Sequence, residues 1–113
     1  MIHVTLYRKD DLIMAFELSG HAESGPYGYD LVCAGVSAVT FGAVNAILTL
    51  SGLDLDIKQA DEGGYLYVKF KDDFDEEAMD RAQLLLEGFV ISLQTIEREY
   101  GQFISIKETQ EVD

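Results

Sequence analysis

From Leu31 to Leu53 the chain carries no charged residue. A run of that length is long enough to cross a bilayer, so either lipid or protein must cover it. Its polar content and its flanks decide between them. Ser37, Thr40, Asn45, Thr49 and Ser51 interrupt it, and Asp30, Asp54 and Asp56 flank it with no Lys or Arg to set a topology. The run is therefore expected to be a buried central helix, with no membrane as partner. Asp30 is placed to cap it, and Ser51-Gly52 to stop it after about Leu50. Ala34, Ala38, Gly42 and Ala46 recur every four residues, a small-residue ridge expected to pack on the sheet or on another helix. The helix is apolar nearly all round, more than one sheet can cover, which points to a homodimer contact.

Around this helix the patterning is of strands. Ile2, Val4 and Leu6 alternate with His3, Thr5 and Tyr7, and Leu12, Met14, Phe16 and Leu18 alternate with Ile13, Ala15, Glu17 and Ser19. The short polar turn between the two makes an antiparallel hairpin. Leu53, Leu55 and Ile57, then Leu66, Val68 and Phe70, predict a second hairpin across Asp61-Glu62-Gly63-Gly64. Asp75 caps a second helix, along which Ala78, Ala82, Leu85, Phe89, Leu93, Ile96 and Tyr100 form an apolar stripe ended by Gly101. Phe103 to Lys107 reads as a last strand, and Glu108 to Asp113 as a frayed end. With 113 residues, 48% hydrophobic and 26% charged, this is one domain over residues 1–113. The order ββαββαβ predicts an α+β two-layer sandwich: five short, mostly antiparallel strands with both long helices on one face.

Composition narrows function. Eight Lys and Arg against 21 Asp and Glu give a net charge of -13, which should repel nucleic acid and anionic lipid. A partner steered by charge would be basic, although solubility alone accounts for the charge equally well. A single cysteine, Cys33, excludes an internal disulfide and a multi-cysteine metal site, and a lone thiol fits a reducing compartment. No cofactor and no metal are expected. His3 reads as a surface residue. Tyr65 and Tyr67 read as an aromatic sheet face, and Asp72, Asp73, Asp75, Glu76 and Glu77 as surface and helix-start charge.

Only residues 21–33 combine a nucleophile, a base and a loop. Cys33 would be the third residue of the first helix, where unpaired N–H groups favour a thiolate. His21 precedes it across a segment holding Gly20, Gly25, Pro26, Tyr27 and Gly28 that can fold back. An imidazole within reach of a thiol is the minimal apparatus of nucleophilic catalysis, and the same helix start could hold an oxyanion. By spacing alone, a buried Cys and a solvated His explain these residues as well.

Gly20-His21-Ala22, the glycine-containing loop, and Asp30-Leu31-Val32-Cys33-Ala34-Gly35-Val36-Ser37 resemble the ribosomal-processing cysteine protease family (Prp, YsxB-like), as do Phe41–Ile47 and Ser92–Glu97. The resemblance covers nearly the whole chain. It implies a dimeric, cytoplasmic cysteine protease that removes the N-terminal extension of a large-subunit ribosomal protein, the twenty-seventh of the L series. The basic precursor would be its peptide partner. It further implies His21 as general base and acid, Cys33 as nucleophile, and a loop over Gly20, Gly25, Pro26, Tyr27 and Gly28 that closes on substrate. Asp30 is left with two readings, orienting His21 or capping the helix. Ser37, one turn after Cys33, either lines the site or returns its hydroxyl to its own helix. Two rivals remain: a non-catalytic acidic module that chaperones a basic ribosomal protein, and a redox protein using Cys33 without His21.

Overall fold

The computed structural model describes residues 1–22, 25 and 30–110. The strands are β1 (Ile2–Lys9), β2 (Leu12–Ser19), β3 (Leu55–Gln59), β4 (Tyr65–Phe70) and β5 (Ile104–Gln110). The helices are α1 (Leu31–Ala46), which continues as a π-helical turn over Ile47–Ser51, and α2 (Glu76–Tyr100). The strands form one mixed sheet in the order β3-β4-β2-β1-β5. Three of its pairings are antiparallel, and β1 with β5 is parallel. The element order ββαββαβ and the two-layer form agree with the sequence reading.

One sheet face makes the core. Ile2, Val4, Leu6, Phe16, Leu18, Leu66, Val68 and Phe70 are buried on it, together with buried residues of both helices. Phe16 meets Phe89 of α2 with ring centroids 4.9 Å apart. Val36 and Thr40 of α1 lie over Ile2, Leu18 and Leu66. The other face is polar and aromatic: Tyr7 and Tyr67 meet edge-on at 6.3 Å, and Tyr65 Oη donates to Glu17 Oε2 at 2.8 Å. Burial raises the Tyr7 pKa, and the bond to Glu17 raises that of Tyr65, so both phenols are neutral near neutral pH.

The first hairpin turns on Asp10 and Asp11, both at positive φ (51° and 69°), the mirror-image turn that matches right-handed strand twist. β2 departs from simple alternation. Ile13 and Ala15, expected on the open face, are buried, and a register shift between Tyr7 and Arg8 pairs Arg8 with Ile13. β4 accompanies β2 only over Ala15–Ser19. Beyond it, the side chain of Gln83 on α2 takes the place of a strand. Its amide accepts the Ile13 N–H and donates to the Ile13 carbonyl, both at 2.8 Å.

Two expectations are corrected and one is refined. The first helix runs to Ser51 and stops at Gly52 as expected, but its last turn is π-helical, not α-helical. The Ser51 hydroxyl takes the Ile47 carbonyl at 2.5 Å, the acceptor an α-helical N–H of residue 51 would use, and the last turn widens before Gly52 closes it at φ 75°. Nor is that helix buried all round: only 28% of its most apolar window is buried within the chain. The stripe facing the core is Val32, Val36, Thr40 and Val44, while Ala34, Ala38 and Gly42 of the small-residue ridge face outward. β-Branched side chains fill the space above the sheet better than alanines do, and the residue phase follows them. Finally, residues 108–110 are not frayed. β1 offers its outer edge as far as Arg8, which pairs with Gln110, and Arg8 holds Glu108 at 3.0 Å.

Replacing Gln83 with Ala should cost about 1–3 kcal/mol for each Ile13 backbone group left unpaired, read as a lower denaturation midpoint at unchanged slope.

Candidate active site

α1 starts at the edge of a cleft of about 280 Å³. His21, Cys33, Ser37, Val36, Thr40 and Phe41 line one part of it. Gln59, Ala60, Glu62, Gly63, Gly64 and Tyr65, from the β3–β4 turn and its flanks, line another, and Ile2, Leu18, Gly20 and Leu66 complete it. The sequence brings these walls together by simple means. Asp30 is extended (φ -83°, ψ 101°) and its side chain accepts the Cys33 N–H at 3.0 Å, so α1 begins at Leu31 and Cys33 is its third residue. Cys33 and Ser37 are one turn apart and share the cleft-facing side.

The structure supplies the sulfur with a donor that the sequence reading did not anticipate. Helix-start N–H groups were expected to serve it, but the Cys33 N–H is taken by Asp30. Instead, Sγ accepts the N–H of Ala22 at 3.2 Å. Ala22 is buried and directly follows His21, so the contact ties the histidine segment to the thiol. A hydrogen bond to sulfur favours its ionised form. Cys33 is only partly buried and carries no disulfide, so the thiol is open to the cleft.

Gly20 must be glycine: at φ +90° an added Cβ would run into the Met1 carbonyl oxygen. Its N–H donates to the Gly64 carbonyl at 2.8 Å, which docks the turn between β3 and β4 against the histidine segment. That turn is closed by Gly63 N–H to Ala60 O at 3.1 Å and Ala60 N–H to Tyr65 O at 3.2 Å.

Of the residues singled out from sequence, Gly20, His21, Cys33 and Ser37 meet in this cleft, and Asp30 caps the helix beside it. Gly25 does not line the cleft. Pro26, Tyr27 and Gly28, expected in a substrate loop, lie outside the described residues. Ala22, Thr40, Glu62, Gly63 and Gly64 were not anticipated. The Gly63-Gly64 pair was the available signal, read only as a turn. Among the described residues no group of three or more His, Cys, Asp or Glu is arranged to hold a metal ion.

Cysteine protease Prp is the family whose model matches, over residues 1–105. The chain belongs to this family. The Prp of Bacillus subtilis (strain 168), a ribosomal processing cysteine protease, is 50% identical over 101 residues, 88% of this chain and 90% of the relative. The Prp of Staphylococcus aureus (strain Mu50) is 46% identical over 89 residues, 79% of this chain and 80% of the relative. The crystal structure of an essential S. aureus Prp with a covalently linked product peptide superposes with a TM-score of 0.87 at 41% identity, covering 96% of this chain and all (100%) of that one. The same S. aureus protease with a substrate peptide gives 0.82 at 40% identity over 96% and 100%. By family this chain is therefore a cysteine protease, and Cys33 is the only cysteine it has.

Asp30→Ala should lower stability by about 1 kcal/mol through loss of the cap, and Asp30→Asn should restore most of it, both measured by chemical denaturation.

Proposed function

We propose that this chain is a cytoplasmic endopeptidase that trims the N-terminal extension of a large-subunit ribosomal protein, the twenty-seventh of the L series, with Cys33 as nucleophile and His21 as general base and acid. The carrying observation is the Ala22 N–H to Cys33 Sγ contact, which brings the residue after His21 onto the thiol at the edge of a solvent-open cleft. The relatives' ribosomal-processing activity and the peptide-bound S. aureus structures support a peptide substrate.

The chemistry follows from these groups. His21 takes the thiol proton, and the imidazolium together with the Ala22 N–H stabilises the thiolate. The thiolate attacks the scissile carbonyl, and the tetrahedral intermediate collapses to a thioester as His21 returns the proton to the leaving amine. Water, deprotonated by His21, then hydrolyses the thioester and regenerates the thiol. A ribosomal protein precursor is basic, and the charge of -13 steers it toward the cleft.

The same reading takes the protein as a homodimer. Leu31, Ala34, Ala38, Phe41, Gly42 and Asn45 expose an uncharged face of α1, and the acidic flanks Asp30, Asp54 and Asp56 favour a second copy over lipid as its cover. A Cβ at Gly42 meets nothing within 4 Å, so Gly42→Glu enters the exposed face without a clash at its Cβ. Sedimentation should show a dimer for the native chain and a monomer for Gly42→Glu; a native monomer overturns the assignment.

The central test is a cleavage assay read by mass spectrometry on a peptide spanning the extension junction. Cleavage at one bond, lost in Cys33→Ala and in His21→Ala, is the expected result, with kcat/KM falling as salt rises. Binding without cleavage would instead point to an acidic chaperone. Activity that survives His21→Ala would point to a thiol protein without a dyad.

A further inference from the structure

We infer that Gly64, in the turn between β3 and β4, is a positioning residue for His21: its missing side chain is what lets the imidazole lie where it can serve Cys33. The inference rests on the proposed role of His21 as base, and it adds a residue outside the histidine–cysteine segment to the machinery.

The geometry is specific to one glycine of a pair. Gly63 and Gly64 are adjacent and have nearly the same backbone, φ +80° and +79°. A Cβ on Gly63 meets nothing within 4 Å. A Cβ on Gly64 would fall 2.7 Å from His21 Nε2, 3.2 Å from Cε1 and 3.4 Å from Cδ2. The imidazole thus packs its outer edge, Nε2, Cε1 and Cδ2, directly on the Gly64 backbone. The turn cannot retreat freely, because the Gly64 carbonyl accepts the Gly20 N–H at 2.8 Å. Gly20 is in turn pinned by its own close approach to Met1. His21, by contrast, is an exposed side chain with free torsions. When the contact is overfilled, the imidazole is what moves.

This separates two effects that a glycine substitution normally mixes. Placing alanine at either position strains the backbone alike, since both have positive φ. Only at position 64 does it also displace a reacting group. Displacement of such a group by about an ångström is commonly worth on the order of 100-fold in rate.

The experiment compares Gly63→Ala and Gly64→Ala in the purified full-length protein, with peptide cleavage followed across pH and with His21→Ala alongside. The expected result is a similar drop in Tm for both glycine variants. Gly64→Ala should lose about 10- to 100-fold in kcat relative to Gly63→Ala, with KM little changed. The acid limb of its kcat/KM profile should move to higher pH, because the thiolate has lost its imidazolium partner. Equal kcat and equal pH profiles in the two glycine variants, with His21→Ala inactive, would overturn the positioning role while leaving the dyad standing. An active His21→Ala would overturn both. If an alanine variant does not fold, Gly63→Asn and Gly64→Asn repeat the comparison with a residue that tolerates positive φ.

Discussion

The hydrogen bond from the Cys33 N–H to the Asp30 carboxylate governs the site, because it decides where α1 begins. A start one residue later would turn the cysteine about 100° away from the cleft, since an α-helix has 3.6 residues per turn. With the start at Leu31, Cys33 and Ser37 face the cleft one turn apart, and Val32, Val36, Thr40 and Val44 form the buried stripe, of which Val36 and Thr40 also line the cleft. The same bond consumes the Cys33 N–H. The sulfur accepts a donor from outside the helix, the N–H of the buried Ala22. A helix start, a strand end and a thiol are thus fixed by two hydrogen bonds.

The sheet carries this arrangement on its central strand. β2 is flanked by β1 and β4 and leads directly into Gly20 and His21, so the histidine leaves from the most constrained part of the fold. The hairpin of β3 and β4 reaches the same place from the opposite wall, and its turn is bonded to Gly20. The described walls of the cleft thus come from α1, the end of β2 and the β3–β4 hairpin with its turn.

Much of this was legible in the sequence because the relevant signals are local. Alternation in Ile2–Leu6 and in Leu66–Phe70, an aspartate before each helix, and Gly-rich turns each report a backbone preference that tertiary packing did not override. The parts that were not legible depend on contacts between distant segments. The outward phase of Ala34, Ala38 and Gly42 follows from which α1 stripe best fills the space over Ile2, Leu18 and Leu66. The burial of Ile13 follows from Gln83, 70 residues away. Glu108 to Gln110 look like a polar tail until Arg8 and the free edge of β1 are known. At the site, the meeting of His21 and Cys33 in one cleft could be suspected from the loop between them. The Ala22 donor and the bare Gly64 surface could not, since a backbone N–H and an absent side chain leave no mark in residue chemistry.

The most direct measurement of the central claim, that Cys33 is a thiolate held by its surroundings and paired with His21, is the rate of Cys33 alkylation by iodoacetamide across pH. It needs no substrate, and the single cysteine makes the signal unambiguous. The native protein should react with an apparent pKa well below the roughly 8.5 of a free thiol, and His21→Ala should move the profile up toward that value. A native profile that titrates like a free thiol, unchanged by His21→Ala, would contradict the account.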